Sequence, residues 1–350
     1  MIKLSDQNEL KRNATNRQLH LRRMIATSVF LAIALILRTY FSTYLTFMGA
    51  QGARVGIHGI FIIMPAILFG PFYGAVASGL GDLLGHFIRP SGPWLWQMTI
   101  ILTLGGFVRG WAWRLLRGRS PFSTRAVVIA ITLLFLGFGS FTMIQLRQDG
   151  ITRGFYDGME NPSEVDASEM GFISRMIVIR TQNLRDERLD PPSMAAVNAL
   201  SNRIDETVFA PMAAGVFGVV LLGVDLILSR GYKKGEIRKK HGNNENLQSL
   251  AEEDAPRGFK ARMTSFIKTP WNGSIMSLAL TVILISLLIN IANSTLLWAI
   301  NFGGWRALPF IYIWLPRAAL AFFIGVVNTF VVALLMGACY KQPHIRAMID

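Results

Sequence analysis

Charge is what this sequence has least of. Charged residues make up 16% of the 350 residues, against roughly 25% in soluble domains, while hydrophobic residues reach 52%. The deficit comes from long uncharged runs, each near the roughly 20 apolar residues that a helix needs to cross a bilayer core of about 30 Å. A soluble globular class is thereby excluded. There is a single cysteine, Cys339, so no intrachain disulfide can form, and its place near the end of the last apolar run suits a small apolar filler. The five histidines are scattered. No His-Glu-x-x-His, paired-cysteine or aspartate-rich pattern offers a metal site, and none is expected. No Gly-x-x-x-x-Gly-Lys-Ser/Thr loop is present, so the chain has no visible means of hydrolysing ATP. Without a catalytic or cofactor motif, an enzyme is disfavoured. The first apolar run lacks a small-residue cleavage site and is read as a span, not a removed signal peptide.

What is present is a series of apolar segments. Eight spans are read, at about 24–46, 57–70, 72–88, 95–116, 126–146, 207–229, 274–300 and 310–338, which predicts an all-α polytopic membrane helical bundle. The near-continuous apolar stretch 57–88 would be about 48 Å long as one helix. Gly70-Pro71 lies at its middle, a turn signal that splits it into two short helices; a re-entrant hairpin is the alternative.

The net charge of +14 does not point to nucleic acid, because the basic residues cluster beside the apolar runs. The leader 1–23 carries Lys3, Lys11, Arg12, Arg17, Arg22 and Arg23; the connection after span four carries Arg114, Arg117, Arg119 and Arg125; the segment 230–271 is richer still. The connections 47–56, 89–94 and 301–309 hold one arginine each. Eight crossings with both termini in the cytoplasm place every rich segment inside. The connection 147–206 then lies outside as a cap, with a short amphipathic helix expected at 191–204, and 231–271 reads as a charged, flexible cytoplasmic linker.

A charge inside a bilayer is costly, so the few present come first in a functional reading. Arg38, Asp82 and Arg317 all fall in the expected outer half, whereas Arg109 and Asp225 lie nearer the inner ends. Asn290 and Asn293, three apart on one face of span seven, join them. So do Gln97, Thr99 and Thr103 in span four, and Arg54, His58 and His86 beside the outer loops. Trp94, Trp96, Trp298 and Trp305 could wall an outward-open polar pocket or form an interfacial belt. The charged trio equally fits an ion-pair network that holds helices together. Small residues form a second pattern, with Ser28 and Ala32 in span one, Gly70, Gly74, Ser78, Gly81 and Gly85 in spans two and three, and Gly106 and Gly110 in span four. Such ridges allow close helix approach, within the chain or against a partner.

The run from Arg54 to Gly85, with Phe69-Gly70-Pro71 and Gly81-Asp82-Leu83-Leu84-Gly85 inside it, resembles the substrate-binding S components of energy-coupling factor (ECF) vitamin transporters, nearest the folate-type branch. The segment Pro90-Ser91-Gly92-Pro93 looks similar, as do Asn290 to Leu297 and Leu315-Pro316-Arg317-Ala318. The resemblance covers roughly 20–118 and 274–340. It implies a six-helix core made of 24–118 and 274–340, with 119–273 as an insertion that adds two helices, the cap and the linker, and 341–350 as a tail. It also implies a vitamin-like solute bound in the plasma membrane, folate or a related compound first, an anion suited to Arg38, Arg54 and Arg317. The implied partners are a membrane coupling subunit and two cytoplasmic ATPase subunits. Ser28 and Ala32 would form the face packed on the coupling subunit, although the family pattern there is two alanines. Another vitamin or a nucleobase-like compound is the alternative ligand. From a different class, the alternative is a membrane scaffold whose cap binds a protein partner.

Overall fold

The computed structural model describes residues 4–47, 50–90, 94–118, 121–151, 155, 165–172, 174–175, 178–179, 210–227, 275–300 and 310–349. The expected helix at 191–204, the linker 231–271 and Trp305 lie outside these residues. The elements in order are α1 (Leu4–Tyr40), β1 (Ser42–Phe47), β2 (Ala50–Gly56), α2 (His58–Leu68), α3 (Pro71–Ile88), α4 (Trp96–Leu116) and α5 (Pro121–Gln148). Then follow α6 (Ala210–Ile227), α7 (Ile275–Ala299), α8 (Phe310–Lys341) and the short α9 (Pro343–Ile349). This is the expected all-α polytopic membrane bundle, with one two-stranded hairpin added. Among the described residues, five helices are long and apolar enough to cross a membrane: Asn16–Tyr40 within α1, Phe122–Gln148, α6, α7 and Arg317–Lys341 within α8.

Span one differs from its expected bounds of 24–46. Its helix begins near the start of the chain and stops at Tyr40, because the following Ser42–Phe47, with two threonines and two aromatic residues, favours a strand and pairs antiparallel with β2. Thr43 faces Val55, and Tyr44 faces Arg54. The hairpin marks one end of the bundle. The other end, the base, is where α9 returns onto α1 and Arg23 Nε donates to the Met348 carbonyl at 2.6 Å. There the His20 ring meets the Tyr73 hydroxyl at 2.8 Å.

The split of 57–88 into two helices is as expected, and the turn shows why. Gly70 has φ +106°, a conformation that costs a residue with a Cβ, and Pro71 supplies the first residue of α3, where its missing N–H is no loss. At about 16 Å, the eleven residues of α2 are too short to cross a bilayer core by themselves.

The small residues of α3 and α4 are used inside the chain. A Cβ on Gly106 would run into the Gly74 carbonyl and Ser78 Oγ, and one on Gly110 would lie 2.6 Å from the Pro71 nitrogen. The backbones of α3 and α4 therefore almost touch. Gly106→Leu should force them apart and cost about 1–3 kcal/mol or more, read as a lower melting temperature in detergent. An unchanged melting temperature would contradict the close approach.

The helices of the presumed insertion are not peripheral. Gly139 packs on Met212, Gly215 on Leu136 and Gly218 on Thr132, which lays α5 and α6 antiparallel. Arg125 Nε meets Asp225 Oδ2 at 2.5 Å at the same seam. Phe135 and Phe217 pack against Phe322 and Phe323 of α8, tilted and edge-to-face, at 5.1 Å and 4.5 Å between ring centres. Val128, Phe135, Ala214 and Leu221 thus belong to the main core with Met64 of α2, Ile283 of α7 and Phe322 of α8. Where the cap is described, a small separate core of Leu146, Ile151 and Val178 caps the far end of α5. Asp149 Oδ2 accepts the Gly171 N–H at 3.0 Å there, and hydrogen bonds from Ser168 hold the Asp166 carboxyl below its usual range.

Candidate functional site

Two polar groups form near the hairpin end. In the first, α1 and α3 run side by side, and the Arg38 guanidinium donates to the Gly81 carbonyl at 2.7 Å and meets Asp82 Oδ1 at 3.5 Å. The Asp82 side chain is completed from α4, where Thr99 Oγ1 donates to Oδ2 at 2.8 Å. Thr99 in turn accepts from Trp94 Nε1 at 3.3 Å. Gly85 makes this possible, since a Cβ there would fall 2.6 Å from the guanidinium atoms. Both oxygens of Asp82 are thus engaged, and three helices are tied through one carboxylate. Arg38 and Asp82 occupy the structural-network geometry weighed in the sequence, although the Arg38 Nε is buried with no hydrogen-bond partner among the described residues.

The second group lies on the α7–α8 seam. Gly325 packs on Ile283, and Asn290 Nδ2 donates to the Arg317 carbonyl at 3.1 Å, so the two helices run antiparallel. One turn further toward the hairpin end, Asn293 and Ser294 of α7 come level with Trp314 of α8. Here the usual rule that buried polar atoms find partners is broken repeatedly. Oδ1 of Asn290, Oδ1 of Asn293, Oγ of Ser294 and Nε1 of Trp314 are all buried with no hydrogen-bond partner among the described residues. Oε1 of Gln97 is in the same state, on α4, which packs on α7 through Gly105 and Ile289. The Arg317 side chain, 9% exposed, belongs to this seam. Arg317 with three acceptors and an indole donor, all within two turns of one helix pair, can hold a ligand that presents an anion and N–H groups together. Ser294 and Trp314 were missed in the sequence. The available signal was spacing, because Ser294 is four residues from Asn290 and Trp314 three from Arg317.

The remaining expected residues are spread. Arg54 sits in β2 opposite Tyr44; β2 packs on α8, but the Arg54 side chain lies outside what is described. His58 opens α2 beside Gly56, whose Cβ would fall 2.7 Å from the ring. His86 stands one turn beyond Asp82 and packs edge-on to Phe87. Ser28 and Ala32 are both exposed on α1, as are Ile25, Val29 and Ile36 beside them, so no described helix covers that face. Among the described residues, no cluster of three metal-ligating side chains occurs, and Arg38–Asp82 and Arg125–Asp225 form ion pairs.

Arg109 is an unexpected feature. It is 6% exposed in α4, with its Nε buried and no hydrogen bond or ion pair to any described residue. Enclosing an uncompensated charge costs several kcal/mol.

No curated protein and no solved structure matches the chain. Residues 22–150, from α1 through α5 and so into the segment 119–273, match the family model described as ECF transporter, substrate-specific component.

Proposed function

We propose that the chain is the substrate-specific subunit of an ECF transporter and that it captures an anionic, vitamin-like solute, with folate or a related pteridine-like compound first. The family-model match over 22–150 supports the transporter class. The observation that supports a ligand is the set of unsatisfied buried atoms on Asn290, Asn293, Ser294, Trp314 and Gln97 beside Arg317. A ligand carrying N–H groups and a carboxylate satisfies them in one step. Arg317 takes the anion, Arg38 and Asp82 hold the helices that frame the mouth, and His58 borders it from the start of α2, with Arg54 kept as a candidate contact. The hairpin end faces outside and both termini lie in the cytoplasm, as the lysine and arginine distribution requires.

The chain has no phosphate loop, so energy comes from partners: a membrane coupling subunit and two cytoplasmic ATPase subunits. The exposed Ser28 and Ala32 face of α1 offers the close-packing surface for the coupling subunit. The purified chain should bind radiolabelled folate without the partners. Reconstituted alone in liposomes, it should accumulate none; with the coupling module and ATP it should. Concentrative uptake by the isolated chain would sink the transporter reading, and absence of binding to folate and related pteridines would sink the ligand assignment.

A further inference from the structure

Arg109 is used by none of the contacts described above, and its surroundings leave few ways to neutralise it. Gly106 and Gly110 face α3, and Gly105 faces Ile289 of α7. At about 100° per residue, Arg109 lies roughly 40° from Gly105 and 60° from Gly106 around α4. It lies between the two packed faces. One turn on, Trp113 is part of the core cluster. With 6% of its surface exposed, the side chain is enclosed by protein and not presented to lipid. An arginine stays protonated even there, and an enclosed charge calls for an anion. The two aspartates of the described spans are already paired, Asp82 with Arg38 and Asp225 with Arg125.

We infer that Arg109 is a second anion-binding residue, which receives a carboxylate or phosphate group of the captured solute through its planar fork, in addition to Arg317. This rests on the transport reading for the source of the anion. The anion site itself stands on the enclosure of Arg109. Two chemical consequences follow. The solute carries at least one oxyanion besides the group held at Arg317, and a compound with the same ring but no such group loses the Arg109 contribution.

The test compares wild type, Arg109→Gln and Arg109→Lys in detergent, against folate and against a pterin ring that lacks carboxylates. Arg109→Gln should lower folate affinity by about tenfold or more and leave pterin affinity unchanged, with Lys recovering only part because a point charge cannot form two parallel bonds. Equal folate affinity in wild type and a folded Arg109→Gln overturns the inference and leaves the transport reading intact. Should Arg109→Gln not fold, Arg109→Lys decides, and folate affinity equal to wild type overturns it. If wild type binds neither compound, the folate reading falls and inorganic phosphate becomes the probe. It should raise the melting temperature of wild type and not of the variants; no rise in wild type, or the same rise in all, overturns the inference.

Discussion

Arg317→Ala is expected to weaken folate binding by about tenfold to a hundredfold while the protein still folds, because a charge-assisted hydrogen bond is worth about 1.5–3 kcal/mol and more where its partner is left desolvated. Lysine should rescue poorly at this position. Arg38→Ala and Asp82→Asn should behave differently. Asp82 accepts from both Arg38 and Thr99, so either change loosens α1, α3 and α4 from one another. Melting temperature should fall first, and affinity only as the mouth loses its shape. Measuring melting temperature and affinity on all three variants separates the roles. An Arg317→Ala protein that melts early yet binds folate normally would remove Arg317 from the site. An Asp82→Asn protein of unchanged melting temperature with lost affinity would move the Arg38–Asp82 pair from support to ligand contact.

The second large effect is expected at the pair joining α5 to α6, and it should be asymmetric. The Asp225 side chain is 6% exposed and that of Arg125 is 28%. Arg125→Ala leaves a carboxylate enclosed without its partner, and breaking a buried pair in this way costs about 3–5 kcal/mol. Asp225→Ala leaves an arginine near the start of α5 that can swing its long side chain toward water, so about 1 kcal/mol is the expected scale. The double change Arg125→Met with Asp225→Leu should recover most of the loss, since apolar replacements of similar volume commonly equal a buried pair. Thermal or denaturant unfolding of the three variants supplies the check. Equal losses in both single variants would mean that the pair is wetter than its burial indicates. The loss should reach the whole bundle, because Phe135 and Phe217 join α5 and α6 to α8.

Sequence alone determined the class of this protein and the places of its helices. Charge scarcity and apolar runs decide that a chain belongs in a bilayer, and Gly70-Pro71 breaks 57–88 because neither residue continues a helix there at low cost. These are local properties, carried by each segment wherever it packs. The hairpin at 42–56 was not foreseen, since six strand-forming residues at the end of an apolar run look like more span until a second strand is available to pair. Sequence also singled out Arg38, Asp82, Arg317, Arg109 and Asp225 as costly charges, with Asn290 beside them, but not which of them meet. That Asp82 spends both oxygens on Arg38 and Thr99, that Arg125 finds Asp225 a hundred residues away, and that Arg109 finds no one among the described residues were decided only by the tertiary structure. Partnership depends on helix rotation and register, and those are set by contacts such as Gly106 on Gly74 and Gly105 on Ile289, far apart in sequence, where the missing side chains let two backbones approach.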